Sequence, residues 1–338
     1  LLGGLFTIGA RSVHQFFFGI MRPKVVTISV IIGNLVNVVL NYLLIFGEEG
    51  LPAVGLSGVP GIPALGVHGA AIGTAAGVFV EMLIPFLVFL GPRCHRAFGS
   101  RTSWRPHWGT IKELIRLGWP GSLVSGNEIV CWSIFMTALV GLFGTESMAA
   151  GWIVLGYMHL SFMPAVAISF AANTLVGNSI GAGTPDLAVT RARWSVGLSV
   201  FIMSACAVLF VVFREPMVEL FIAGDVGPEE SASILRIGVQ LMVVMAVCQA
   251  MDALGITYSG ALRGAGDVIW PGVFIAISSW VLIIGLGYGL AVLVPEWGAV
   301  GPWIGAVAYI IVVGIGMVWR FERGAWRSID IMSAGDRP

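Results

Sequence analysis

Apolar residues run along this chain in blocks of about twenty, separated by short polar or Gly/Pro-rich joints. A helical block of that length crosses the ~30 Å hydrocarbon core of a bilayer at a rise of about 1.5 Å per residue. The pattern predicts nine spans, over 1–21, 25–46, 67–91, 114–142, 148–178, 195–213, 232–262, 270–294 and 299–319. A Gly/Pro-rich joint lies between Gly47 and Gly66, and a basic one runs from Arg93 to Arg116. Near the end of the seventh block, Tyr258 to Pro271 carries a Gly-rich turn in which Arg263 and Asp267 are the only charges between Asp252 and Glu296. A phosphate loop can also show Gly264-Ala-Gly266, but it would be flanked by a strand and an amphipathic helix. Here both flanks are apolar runs, so the stretch reads as a tight joint between two membrane helices with Arg263 at the water boundary.

Composition agrees with an all-α polytopic membrane protein. Apolar residues make up 57% and charged residues 11%, against roughly 25% charged in ordinary globular domains. Mean hydropathy is +0.93. Net charge is zero, so nothing suggests a nucleic-acid partner, which calls for a basic patch. Cys94, Cys131, Cys206 and Cys248 have no metal-like spacing and read as unpaired thiols. If the basic joint is cytoplasmic, alternation of the spans puts every Lys and Arg except Arg11, Arg214 and Arg236 on that side, together with the C-terminus. The opposite loops carry acids, among them Glu48, Glu49, Glu146, Glu215, Glu229 and Glu296. That split is what the positive-inside rule predicts.

The chain also contains a repeat. Gly19-Ile-Met-Arg22 and Gly260-Ala-Leu-Arg263 each close an apolar run, and each leads to a proline, Pro23 or Pro271. Further on, Gly66, Gly69 and Gly73 match Gly298, Gly301 and Gly305. The three spans before the basic joint thus resemble the last three after it, as a parallel duplication of a six-helix unit would require. The expected domains are 1–92 as the remainder of an N-terminal lobe, 93–112 as a cytoplasmic linker, 113–327 as a complete six-helix lobe and 328–338 as a cytoplasmic tail. Leu1 opens inside an apolar run with neither Met nor a basic leader, so the first lobe is expected to lack three preceding spans.

Ionisable groups inside a bilayer cost at least ~2.5–3.5 kcal/mol and are functional candidates by default. Four fall within spans: Arg11, Glu81, Glu128 and Asp252. Glu128 lies about 18 Å above Arg116 and Asp252 about 16 Å above Arg263, so the two carboxylates reach nearly one depth. At one depth in one bundle they can bind a cation or share protons. Either could instead merely hydrogen-bond a neighbouring helix, as Asn127 and Gln249 could. Glu81, about 15 Å from its inner end, has no partner identifiable from sequence. Arg11 takes the place of Asp252 if Arg22 is matched with Arg263, and a buried Arg there would need an acid. His14 and His159 read as packed or hydrogen-bonded residues, and Trp152, Trp280 and Trp303 as packing or interface anchors. Pro85, Pro120 and Pro164 can kink their helices, with Pro164 the best hinge. No catalytic constellation or cofactor motif stands out, so the chain is not read as an enzyme.

At this point the residues resemble a known family, the multidrug and toxic compound extrusion (MATE) transporters. The hairpin Ser259 to Asp267 followed by Trp270-Pro271 looks like that family's turn between its tenth and eleventh helices. Gly144 to Ala150 and Leu175 to Gly183 look like the loop before its eighth helix and that helix's inner end. Gly19 to Lys24, Asn34 and Asn41 to Gly47 look like its fourth and fifth helices. The resemblance covers the whole chain, from helix four to helix twelve. It implies antiport: export of cationic or amphipathic small molecules against inward Na⁺ or H⁺, in a bacterial inner membrane, by a monomer with no cofactor. Glu128 and Asp252 look like acidic positions used for cation coupling in one branch of the family, whose other coupling acid lies in helix one, and would be the Na⁺ ligands if sodium is the ion. Arg263, Gly264, Gly266 and Pro271 would form a structural hairpin. Other readings stay open: a lipid-linked oligosaccharide flippase, a membrane-embedded enzyme, or a fragment without transport activity.

Overall fold

The computed structural model describes residues 2–50, 57–102, 106–222 and 227–329. The tail 330–338, Arg105, and the side chains of Arg116 and Pro120 lie outside that description, and with them the kink expected at Pro120. Regular structure among the described residues is entirely helical. The chain divides into two compact units, Leu1–His107 and Trp108–Pro338, and the division falls within the basic joint.

The first unit contains α1 (Leu2–Gly19), α2 (Pro23–Phe46), α3 (Val67–Phe89) and the short α4 (Pro92–Phe98). α2 and α3 associate through glycines. Gly69, Gly73 and Gly77 line one face of α3, and a Cβ at Gly77 would come within 2.7 Å of Asn37 Cβ and 2.9 Å of the Gly33 carbonyl. Such close backbone approach is how membrane helices pack where lipid removes the hydrophobic incentive. Ile28, Ile31, Leu35 and Val38 of α2 stay exposed, as lipid contact requires.

The second unit contains α5 (Trp108–Ile134), α6 (Thr145–Gly181), α7 (Pro185–Val212), α8 (Arg214–Glu219), α9 (Pro228–Gly264), α10 (Ile269–Ser278), α11 (Gly287–Leu293) and α12 (Val300–Glu322). α6 and α9 are 37 residues each, about 55 Å long, so both outrun the hydrocarbon. The apolar blocks marked only their lipid-crossing portions. α7 likewise begins at Pro185 rather than near 195, because Arg191 and Arg193 end the apolar block but not the helix. The core is built around fully buried Trp303, which meets Phe135 edge-on at 5.2 Å.

Eight helical stretches among the described residues are long and apolar enough to cross a membrane. α1, the first of the nine expected spans, forms a helix but is not one of the eight; Arg11, His14 and Gln15 interrupt its apolar run. Arg11 is exposed on α1. The irregularity expected at Pro164 is also placed elsewhere. α6 continues through Pro164 as one helix, whereas π segments occur at Phe135–Leu139, after α5, and at Ser279–Leu286, between α10 and α11. π segments leave the regular i→i−4 ladder and recur at functional sites.

The turns that follow α1, α6 and α9 share one mechanism. After α9, the Asp267 N–H donates to the Leu262 carbonyl (2.9 Å) and the Gly266 N–H to that of Arg263 (3.0 Å), with Gly266 at φ +80°. This is a Schellman cap, whose left-handed residue is normally glycine. α6 closes in the same way at Gly183, φ +72°. α1 does so with a non-glycine residue: Met21 sits at φ +57°, with Arg22 N–H donating to Phe17 and Met21 N–H to Phe18.

Candidate functional site

A cavity of about 630 Å³ opens within the second unit, lined by residues of α5, α6, α9, α10 and α12. Glu128 and Asp252 both line it, on α5 and α9. Their carboxylates are close enough to interact electrostatically. Glu128 is exposed on the cavity wall and Asp252 half-buried. Tyr309 of α12, buried to 6% exposure, lines the same cavity. Trp132, Trp152, Phe162 and Phe170 add aromatic surface, and His159 adds an imidazole.

The other sequence candidates separate cleanly. Asn127 does not line the cavity; its amide donates to Ser279 Oγ (2.9 Å) and its carbonyl accepts from Trp280 Nε1 (2.7 Å), which ties α5 to the second π segment. Gln249, 2% exposed, accepts from Ser161 Oγ at 3.3 Å and also lies away from the cavity. Both are helix-to-helix ties. Trp303 is a fully buried packing residue and Trp280, 45% exposed, bonds Asn127, whereas Trp152 and His159 line the cavity. Glu81, without a partner in the sequence reading, has one: His14 Nδ1 lies 3.8 Å from its Oε1.

Arg263 turns out to serve the cavity rather than the hairpin. It lines the cavity and is near enough to Glu128 to interact with it. The hairpin is anchored instead by Asp267, 4% exposed, whose Oδ2 accepts from Arg320 Nε at 2.7 Å. Arg320 also lies over the Trp270 ring, 5.1 Å from its centre. Gly264 has a separate role, since a Cβ there would strike the Asn173 carbonyl of α6. Pro271 is buried in the first turn of α10 and lines the cavity. Sequence reasoning missed Tyr309 and Arg320, which sit in α12 as an ordinary interface tyrosine and one of several basic residues after an apolar run.

More charged pairs gather at this end of the second unit. Arg193 of α7 makes two bonds to Glu322, which also accepts from Tyr258 at 3.0 Å, and Arg327 reaches Asp186 at 3.1 Å. Among the described residues, no three His, Cys, Asp or Glu side chains converge as a metal site would need.

Comparison with known proteins gives one answer. The MatE family model matches residues 127–289. The multidrug resistance protein NorM of Burkholderia vietnamiensis is 32% identical over 324 residues, covering 95% of this chain and 65% of NorM. The multidrug resistance protein MdtK of Yersinia pseudotuberculosis is 28% identical, covering 90% of this chain and 63% of MdtK. The chain therefore spans just under two thirds of the length of these relatives. Among solved structures, the fold is shared with "Crystal structure of MATE in the bent conformation" (TM-score 0.76, 18% identity, 96% of this chain and 67% of that one). It is also shared with "MATE transporter ClbM in complex with Rb+" (TM-score 0.71, 20% identity, 91% and 62%). Family model, relatives and fold point the same way: residues 127–289 match the MatE family model, and the chain shares the fold of MATE structures.

Proposed function

We propose that this chain forms the C-terminal cavity wall and coupling site of a secondary antiporter that exports amphipathic or cationic compounds in exchange for Na⁺ or H⁺. The observation that carries this reading is the placement of Glu128, Asp252 and Tyr309 on the lining of one cavity. Two carboxylates and a phenol are hard oxygen donors, suited to a proton or an alkali cation and unsuited to a soft metal. A bound cation neutralises the repulsion between the acids and draws α5 toward α9. Arg263 competes for Glu128 when no cation is present, so loading and emptying the site alter the charge at the cavity's inner end. Each change biases one access state, and a ligand shifts such an equilibrium only by its differential affinity for the two states. The aromatic side chains suit flat, apolar or cationic substrates.

The orientation with the Arg263 end in the cytoplasm of a bacterial inner membrane rests on the distribution of Lys and Arg. The lipid-linked oligosaccharide alternative calls for several cations in the cavity, and Arg263 is the only Lys or Arg among its described lining residues. Asp252→Asn and Glu128→Gln, made separately in the intact protein, are expected to abolish efflux driven by an imposed ion gradient while leaving protein in the membrane. Undiminished gradient-driven efflux in either variant overturns the assignment.

A further inference from the structure

The first unit holds an ionisable pair that the cavity of the second does not explain. His14 is 3% exposed, and each of its ring nitrogens faces an acceptor. Nδ1 lies 3.8 Å from Glu81 Oε1, with the Glu81 backbone also against the ring. Nε2 lies 3.4 Å from Ser29 Oγ. Ser29 is fully buried and spends its hydroxyl proton on the Val26 carbonyl at 2.8 Å, so toward His14 it offers a lone pair. In the tautomer that keeps both bonds, Nε2 carries the proton that donates to Ser29. If Glu81 is a carboxylate and His14 neutral, Nδ1 turns a lone pair toward a negative oxygen. One further proton, on Nδ1 or on Glu81, removes that conflict.

We propose that His14 and Glu81, oriented by Ser29, form a proton-binding site that joins α1, α2 and α3. Each helix supplies one of the three side chains. Gly33 of α2 lets the site close: a Cβ there would come within 2.9 Å of Glu81 Cβ, so a larger residue would push the carboxyl away. The charged surroundings are simple. Arg11, exposed and one turn earlier on α1, is the other ionisable group near the ring. α2 has no ionisable residue between Lys24 and Tyr42, and the remaining one on α3, His68, is at the far end of that helix.

The repeat supports a functional place for this pair. The matching Schellman turns pair Phe17 with Leu262 and Arg22 with Asp267, which sets His14 against Ser259. The glycines before α3 and α12, Gly66 and Gly298, share φ +53°, which sets Glu81 against Val313. Ser259 and Val313 both line the cavity of the second unit. The His14–Glu81 pair therefore occupies the first unit's counterpart of a cavity wall.

The inference stands apart from the roles of Glu128 and Asp252, because its readout is the titration of one ring in the first unit. The full chain, labelled with ¹⁵N-histidine in lipid nanodiscs, is titrated by NMR, and the His14 signals are identified by their loss in His14→Gln. Glu81→Gln is expected to shift the His14 midpoint by about one pH unit, a tenfold loss of proton affinity. A midpoint unmoved in that variant overturns the proposal. If Glu81→Gln does not fold, Ser29→Ala decides. The expected result is a shift of neutral His14 away from the Nε2–H tautomer, read from its ring ¹⁵N shifts. A tautomer ratio unchanged from the wild type overturns the site.

Discussion

The two copies of the repeat, α1–α3 and α9–α12, agree in backbone and differ in charge. Both begin with a helix closed by a Schellman cap and end with one entered through a left-handed glycine. The cap register, however, is four residues off the Gly-x-x-Arg match visible in sequence: it pairs Arg22 with Asp267, Gly19 with Gly264 and Met21 with Gly266. Arg11 then falls opposite Ile256, not Asp252. In the register set by Gly66 and Gly298, Arg320 of α12 corresponds to Val88 of α3. Where the second copy holds a buried acid and its cation, the first holds an exposed Arg22 and an exposed Val88. The backbone devices that let helices turn recur in both copies, while the ion pairs are particular to each.

The largest effect that tests this contrast comes from Arg320. Arg320→Ala strands Asp267, 4% exposed, without its cation and removes the contact with Trp270. Breaking one side of a buried pair costs about 3–5 kcal/mol, so a large drop in thermal midpoint of the purified protein is expected. Arg22→Ala, at the corresponding turn, removes an exposed side chain and is expected to change the midpoint little. Equal drops in the two variants would show that the hairpin does not depend on the Arg320–Asp267 pair.

Close packing provides the next test. Gly264 and Gly19 are the last residues of their helices, yet a Cβ on Gly264 strikes the backbone of Asn173, whereas one on Gly19 meets no described atom within 4 Å. Gly264→Ala must move α6 from α9 and is expected to cost up to about 3 kcal/mol, typical of overpacking. Gly19→Ala is expected to stay within about 1 kcal/mol, the scale of helix propensity. Monodispersity on gel filtration and thermal midpoint read both.

These contrasts also mark what sequence could supply. Hydropathy located the apolar helices because a bilayer leaves no other place for twenty apolar residues in a row. Depth counting brought Glu128 and Asp252 together because a helix converts residue number into height. It could not reveal which way a side chain faces. Asn127 and Asp252 looked equivalent along the chain, yet one grips a π segment and the other lines a cavity. The Gly-x-x-Arg match misled for a related reason. It aligned letters, whereas the turn register is set by hydrogen bonds to Phe17 and Leu262 that no residue type announces. His14 and Glu81 meet only because α1 packs beside α3, a contact between residues 67 apart in the chain.

The smallest effect isolates the one position at which the two caps differ in kind. Met21 and Gly266 hold the same left-handed site, at φ +57° and +80°. An L-residue there brings its Cβ against the following carbonyl oxygen and costs roughly 1–2 kcal/mol, whereas glycine has no Cβ to clash. Met21→Gly relieves that strain but also loosens the unfolded chain, which returns part of the gain. The net expectation is a stabilisation of no more than about 1 kcal/mol, and Gly266→Ala should shift the thermal midpoint the other way by a similar amount. Met21 is itself nearly half exposed, at 48%, so little packing is lost with its side chain. If Met21→Gly destabilises instead, the thioether holds α1 to α2 by a contact that outweighs the backbone term, and the two caps would share their hydrogen bonds but not their energetics.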